Sequence, residues 1–181
     1  MSRSRHTDPY PLRAARRALA PVPVRARPAR PGFVHPAAPA DIVRVLTFFG
    51  PAATYGLRRV ELRQRGADRP LVAALRVPGV VLLYEQPEPP WVLGGRLADA
   101  AVLRLERAGA AVSRGALATR VDWPGATLRD FMLFDGLMHE VGHHVVQHAA
   151  RRHRTRAMRT ADHERRADAY ARRARRAWES R

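Results

Sequence analysis

Cysteine, lysine and asparagine are all missing from this chain of 181 residues, and Ile42 is its only isoleucine. Without cysteine there are no disulfide staples and no thiolate metal ligands, so any transition-metal site must be built from histidine and carboxylates. No run of about eighteen apolar residues occurs, so neither a membrane-spanning helix nor a membrane partner is expected. The N-terminal arginines have no apolar stretch behind them, which argues against a secretory signal. An Arg-rich, acid-poor leader also suits an organellar transit peptide, but serine is scarce, and the cytoplasm is the expected compartment.

Arginine stands in for the missing lysine. All 33 basic residues are Arg, and the formal net charge is +17. Lysine, asparagine and isoleucine are the residue types with AT-rich codons, so GC-rich coding accounts for much of this bias. The distribution is more informative than the total. Residues 1–40 hold eight Arg against one acid, a balance of +7, and residues 151–181 hold twelve against four, a balance of +8. The stretch between holds thirteen against eleven, so the basicity sits at the two ends.

Prolines at 9, 11, 21, 23, 28, 31 and 36 interrupt the first 38 residues. Residues 1–38 therefore read as a disordered Arg/Pro-rich arm, and residues 39–181 as the folded domain. Asp41 suits the N-cap of a first helix through Ile42, Val45, Leu46 and Phe49, which Gly50-Pro51 stops, with a second short helical stretch to about Leu57. Arg58–Arg63 alternates with period two and predicts a strand. Leu71–Val77 and Val80–Tyr84 predict a hairpin about Pro78-Gly79. A helix is expected over Leu97–Ala108, and a short strand over Thr119–Trp123. The rest predicts two helices: an apolar one over Leu128–Arg152, fit for the middle of a domain, and a last one over Ala161–Trp178. Strands first and helices last make an α+β domain.

Six of the eight histidines fall between residues 139 and 163. His139 and His143 are four apart on the apolar helix, so their imidazoles share a face and can bind one metal ion. Glu140 lies about 100° round from His139, placed beside a metal-bound water rather than at a ligand position. Two neutral nitrogens plus a carboxylate base are what zinc-assisted hydrolysis requires. Composition alone yields His-Glu-x-x-His in roughly one or two such sequences per hundred. This match, however, sits on the most apolar helix with Gly142 inside it, and an interior glycine costs about 1 kcal/mol relative to Ala unless close packing demands it. On the last helix Glu164, Ala167, Ala171, Ala174 and Trp178 form one stripe. That stripe predicts a buried Glu164, which a metal would satisfy, and Asp168 can accept a hydrogen bond from a ligand histidine. A helix-start carboxylate is the plain alternative for Glu164. His163 is the alternative third ligand. His144 and His148 form a second i, i+4 pair, expected to be solvated or packed. Tyr170 is either an oxyanion donor or an interior tyrosine.

His139-Glu140-Val141-Gly142-His143, followed after twenty residues by Glu164-Arg-Arg-Ala167-Asp168-Ala-Tyr170-Ala171, resembles the gluzincin branch of zinc metallopeptidases. It is similar to small membrane-associated zinc endopeptidases and to the ImmA/IrrE type of regulator-cleaving peptidase. The resemblance spans about residues 128–178. The transmembrane helices of the first group are missing, and Arg166 stands where the second group commonly has a Glu. The resemblance implies a small zincin-like domain, with a short mixed or antiparallel sheet packed on the active-site helix and a C-terminal ligand helix. It further implies Zn2+ held by His139, His143 and Glu164, Asp168 orienting a ligand histidine, and Glu140 as general base. An edge strand, Val80–Tyr84 or Thr119–Trp123, would hold a protein or peptide substrate in extended form. Two other functions are to be weighed. The Arg-rich ends suit non-specific contact with nucleic acid, which would make the chain a basic nucleic-acid-binding protein with a structural metal site. A degenerate zincin used as a binding module is the third reading.

Overall fold

Apolar runs bounded by turn residues become strands. The computed structural model describes residues 21–66, 72–152 and 161–181. Its largest sheet has the strand order β1-β3-β5-β4, built from β1 (Val24–Ala26), β3 (Arg59–Arg63), β4 (Ala73–Arg76) and β5 (Val80–Tyr84). β1, β3 and β5 are parallel, and β4 turns back antiparallel along β5 with Leu75 opposite Val81. Val80, Val81, Leu82 and Leu83 are all buried, as an apolar run in an interior strand should be. Pro78-Gly79 makes the turn. Gly79 has φ +70°, and a Cβ there would meet the Gly56 carbonyl oxygen at 2.3 Å, so no other residue fits. The strand expected from Leu71 begins at Ala73; Leu71 itself lies outside the described residues.

The proline-rich arm needs correction. Residues 1–20 lie outside the described residues, but residues 21–38 belong to the fold. β1 pairs with β3, and β2 (Phe33–Val34) pairs with β6 (Gln86–Pro87). Val22 and Ala37 are buried in the main core. The prolines are compatible because β1 is an edge strand, where an imino nitrogen need not donate to a ladder. Pro23 contributes as an acceptor, its carbonyl taking the Val60 N–H at 2.9 Å. Between the two strands the chain is tied to Glu85, whose side chain is fully buried. The Arg30 backbone N–H (2.9 Å), the Arg30 guanidinium and the Arg65 N–H (3.3 Å) all donate to it.

The first helix, α1 (Pro39–Thr54), starts earlier than expected. Ala38 caps it, and Asp41 stands in its first turn, where its carboxylate accepts the Ala38 N–H at 3.0 Å. Gly50 leaves helical geometry (φ 60°, ψ −155°), which separates the two helical stretches at the expected place. A second, three-stranded antiparallel sheet has the order β7-β9-β8, from β7 (Trp91–Gly94), β8 (Ala111–Arg114) and β9 (Ala118–Asp122). α2 (Asp99–Arg107) accompanies it and ends before Gly109, whose φ is +97°. Trp91, Trp123 and Phe131 pack ring on ring into a small separate core.

The long apolar helix runs continuously but changes pitch. α3 (Thr127–Phe131) passes into a π-helical segment, Met132–Met138, and then into α4 (His139–Arg152). Met132, Leu133, Phe134, Leu137, Met138 and Val141 are buried on all sides between the four-stranded sheet, α1 and α5 (Ala161–Glu179). The domain is thus α+β with several small sheets, and no helix among the described residues is long and apolar enough to cross a membrane.

Candidate metal centre

One turn of α4 carries both histidines. Their Nε2 atoms are 3.0 Å apart, and Oε2 of Glu164 on α5 lies 3.5 Å from that of His139 and 3.3 Å from that of His143. These three residues form a group able to hold a metal ion. Donors at about 2.0–2.1 Å from a tetrahedral ion stand about 3.3–3.4 Å from one another, so the edges of this triangle bracket the size of such a site. Asp168 Oδ1 lies 2.9 Å from Nδ1 of His139. Accepting that N–H fixes the tautomer and leaves the Nε2 lone pair for a metal. His143 is almost wholly buried, and Glu164 is half exposed. The triangle is therefore open to solvent on the side of α5.

That exposure overturns one expectation. Glu164 was placed on the buried stripe of the last helix; the buried residues there are His163, Ala167, Ala171 and Ala174. No desolvation conflict calls for a metal, and the case for Glu164 rests on its distances alone. His163 is buried with its ring 4.8 Å from that of His143, yet it is Glu164 that completes the triangle.

Gly142 explains how a residue on α5 reaches α4. A Cβ on it would stand 3.0 Å from Cα and 3.1 Å from the carbonyl oxygen of Ala167, and 3.1 Å from Cβ of Tyr170. The two helices approach closely at Gly142, between His139 and His143, which is the close packing that an interior glycine signalled. Gly136, in the π segment, does the same for the sheet: a Cβ there would meet Val72 Cγ1 at 3.3 Å and Ala73 Cβ at 3.7 Å. β4 is thereby drawn against the helix one turn before His139.

Glu140, next to His139 in the chain, is buried. Tyr170 packs partly buried against the main core, and burial pushes its hydroxyl above the ordinary tyrosine pKa, with Arg173 opposing. His144 is buried, and its Nε2 donates to the Tyr55 carbonyl at 2.9 Å, tying α4 to the end of α1. Packing is thus the role the structure gives His144; the side chain of His148 lies outside the described residues.

Sequence reasoning missed the arginines beside His139. A cavity of about 320 Å³ lies there, lined from α2 by Arg104 and Arg107 and from α5 by Arg172, Arg175 and Arg176. Its signal was present in part: Arg172 stands four residues after Asp168, on the face that begins with Glu164. The contribution of α2 had no counterpart in the sequence. Comparison with family models, with curated proteins and with solved structures gives no match to this chain.

Proposed function

We propose that this protein is a zinc-dependent peptidase. The observation that carries the reading is the His139–His143–Glu164 triangle, whose edges suit a tetrahedral ion, joined to a buried carboxylate one residue along the same helix. Zinc, when bound, supplies a Lewis acid and lowers the pKa of water at an open position. Glu140 takes the proton of the attacking water and delivers it to the leaving amine. Asp168 keeps His139 in the ligating tautomer. Tyr170 is retained as a donor to the developing oxyanion, a role that Tyr170→Phe isolates from packing.

Neither strand first considered for substrate binding has a free edge. β5 lies between β3 and β4, and β9 lies between β7 and β8. β4 is the strand that suits the role, being the antiparallel edge of the large sheet and lying against the metal-bearing helix at Gly136. A peptide adding to it would lie extended beside the triangle. An apolar cavity of about 370 Å³, reached from Val72 and lined by Trp91, Leu105 and Phe131, is placed to take one of its side chains.

Two isosteric substitutions test this function. Glu140→Gln should leave zinc content and melting temperature near wild type while lowering hydrolysis of a peptide library by roughly 10²-fold or more. Glu164→Gln should lose zinc affinity and metal-dependent stability together. Equal cleavage by wild type and Glu140→Gln would defeat the mechanism, and absence of cleavage by both would favour a binding module.

A further inference from the structure

We propose that the arginine-lined cavity beside His139 receives an acidic segment of the peptide substrate. The inference rests on the peptidase reading for the word substrate, and on the cavity alone for its affinity for anions. Five guanidinium groups line one space of about 320 Å³, two from α2 and three from α5. The two carboxylates in the same lining are already engaged. Asp135 accepts from Arg175, and Asp168 accepts from His139. Arg175 is further fixed over the Phe134 ring at 5.3 Å. Among the described residues no carboxylate pairs with Arg104, Arg107, Arg172 or Arg176. Four like charges sharing a concavity focus a positive potential that an anionic ligand relieves, and guanidinium forks match carboxylate geometry.

The position of the cavity narrows the ligand. Glu164, Asp168 and Arg172 succeed one another at intervals of four along α5, so Arg172 lies about 12 Å from the metal ligand along the helix axis. An extended peptide advances about 3.3 Å per residue. The acidic residues therefore sit about three to four positions from the bond being cut. Nucleic acid is the less suitable ligand, because single strands bind basic grooves through stacking on aromatic rings. The rings in this lining are Phe134, with Arg175 over it, and His139, which Asp168 holds.

The test uses the full chain as the zinc-loaded Glu140→Gln protein, so that binding is read without hydrolysis. Fluorescence anisotropy would follow a labelled decapeptide carrying three consecutive glutamates, and its glutamine counterpart. The glutamate peptide should bind at least about tenfold tighter, with a steep salt dependence. Arg104→Gln/Arg172→Gln/Arg176→Gln should abolish that preference. Arg165→Gln/Arg166→Gln/Arg173→Gln, which removes the same charge from α5 outside the cavity, should keep it. Melting temperature and zinc content verify that each triple variant is folded, and Arg104→Gln/Arg107→Gln provides a milder version confined to α2. Equal binding of the two peptides, or equal loss in both triple variants, overturns the proposal. So does displacement by inorganic phosphate at the peptide's own concentration, which would make this a site for free anions. Tighter cavity-dependent binding of a ten-nucleotide single-stranded DNA overturns it in favour of nucleic acid. Cleavage separates the two readings. If wild type cuts neutral and acidic peptides equally well, the cavity assignment falls and the peptidase stands. If it cuts none yet prefers the glutamate peptide, the peptidase falls and the cavity remains an acidic-peptide site.

Discussion

The larger and the smaller core of this protein hold different things rigid. The larger packs Val60, Val81, Leu83, Phe134 and Leu137, each at most 1 % exposed, between the four-stranded sheet and the helices that carry His139, His143 and Glu164. The smaller is built around Trp123, Phe131 and Val121 under the three-stranded sheet and contains no ligand. Its contribution to the site is α2, which presents Arg104 and Arg107 across the cavity from α5. The geometry of the metal triangle thus depends on one core, while the charge around it depends on how the second is set against the first. Aliphatic side chains dominate the larger core, where strands and helices interdigitate; three rings packed on one another lie within the smaller one.

Truncations in the two cores sharpen this contrast most. Leu137→Ala and Trp123→Ala should each cost about 3–4 kcal/mol of stability, within the range for large buried side chains. They should part company on metal. Leu137 lies two residues before His139 and is fully buried, so its loss should lower zinc affinity as well. Trp123→Ala should leave zinc affinity within about twofold of wild type. Chemical denaturation of the metal-free proteins, followed by zinc titration, separates the two quantities, and an equal loss of affinity would dissolve the distinction.

A smaller effect is expected at the helix crossing. Gly142→Ala gains about 1 kcal/mol in helix propensity, but it forces a methyl group to about 3 Å from the Ala167 backbone. Overpacking of this kind costs about 1–3 kcal/mol, so the net loss should be about 1 kcal/mol. Because the strain pushes α5 away, zinc affinity should fall by more than the stability change alone implies. A variant more stable than wild type with undiminished zinc affinity would contradict the close approach.

The smallest effect concerns Glu85, covered by Arg30 just after β5. Burial raises the pKa of its carboxyl, but the Arg30 N–H and guanidinium and the Arg65 N–H outweigh that and hold it below the usual carboxylate range. A lowered folded-state pKa contributes stability that is present above the ordinary value of about 4.3 and is lost as pH falls through and below it. Glu85→Gln should therefore melt lower than wild type at neutral pH, and the gap should narrow as the solution is acidified past about pH 4. Melting curves from pH 7 to pH 3 measure this directly; a gap that widens in acid would mean that the carboxylate destabilises the fold.

Much of the candidate site was legible because it is written in short-range spacing. Four residues between histidines put two imidazoles on one helix face whatever surrounds that helix, and Gly142 announced a close neighbour before the neighbour was known. The hairpin at Pro78-Gly79 and the break at Gly50-Pro51 were equally local. Where the reading went astray, the cause was distant in sequence. Pro21, Pro23 and Pro28 look like disorder until β3 is there to pair with Val24–Ala26. Glu164 was rightly set before His163 as the residue that meets the histidines, but their burial was reversed, because which neighbour faces the core depends on how α5 crosses α4.

The sequence by itself determined the helices, the hairpin and the donor types, because backbone preference and side-chain periodicity act over a few residues. The tertiary structure alone decided that β4 rather than β5 is the edge strand among the described residues. It also decided that His163 rather than Glu164 is the buried one of the two, and that α2 and α5 turn their arginines into one cavity. Those outcomes follow from strand pairing and helix crossing between segments tens of residues apart, where burial and steric fit choose among arrangements that the local pattern leaves equal.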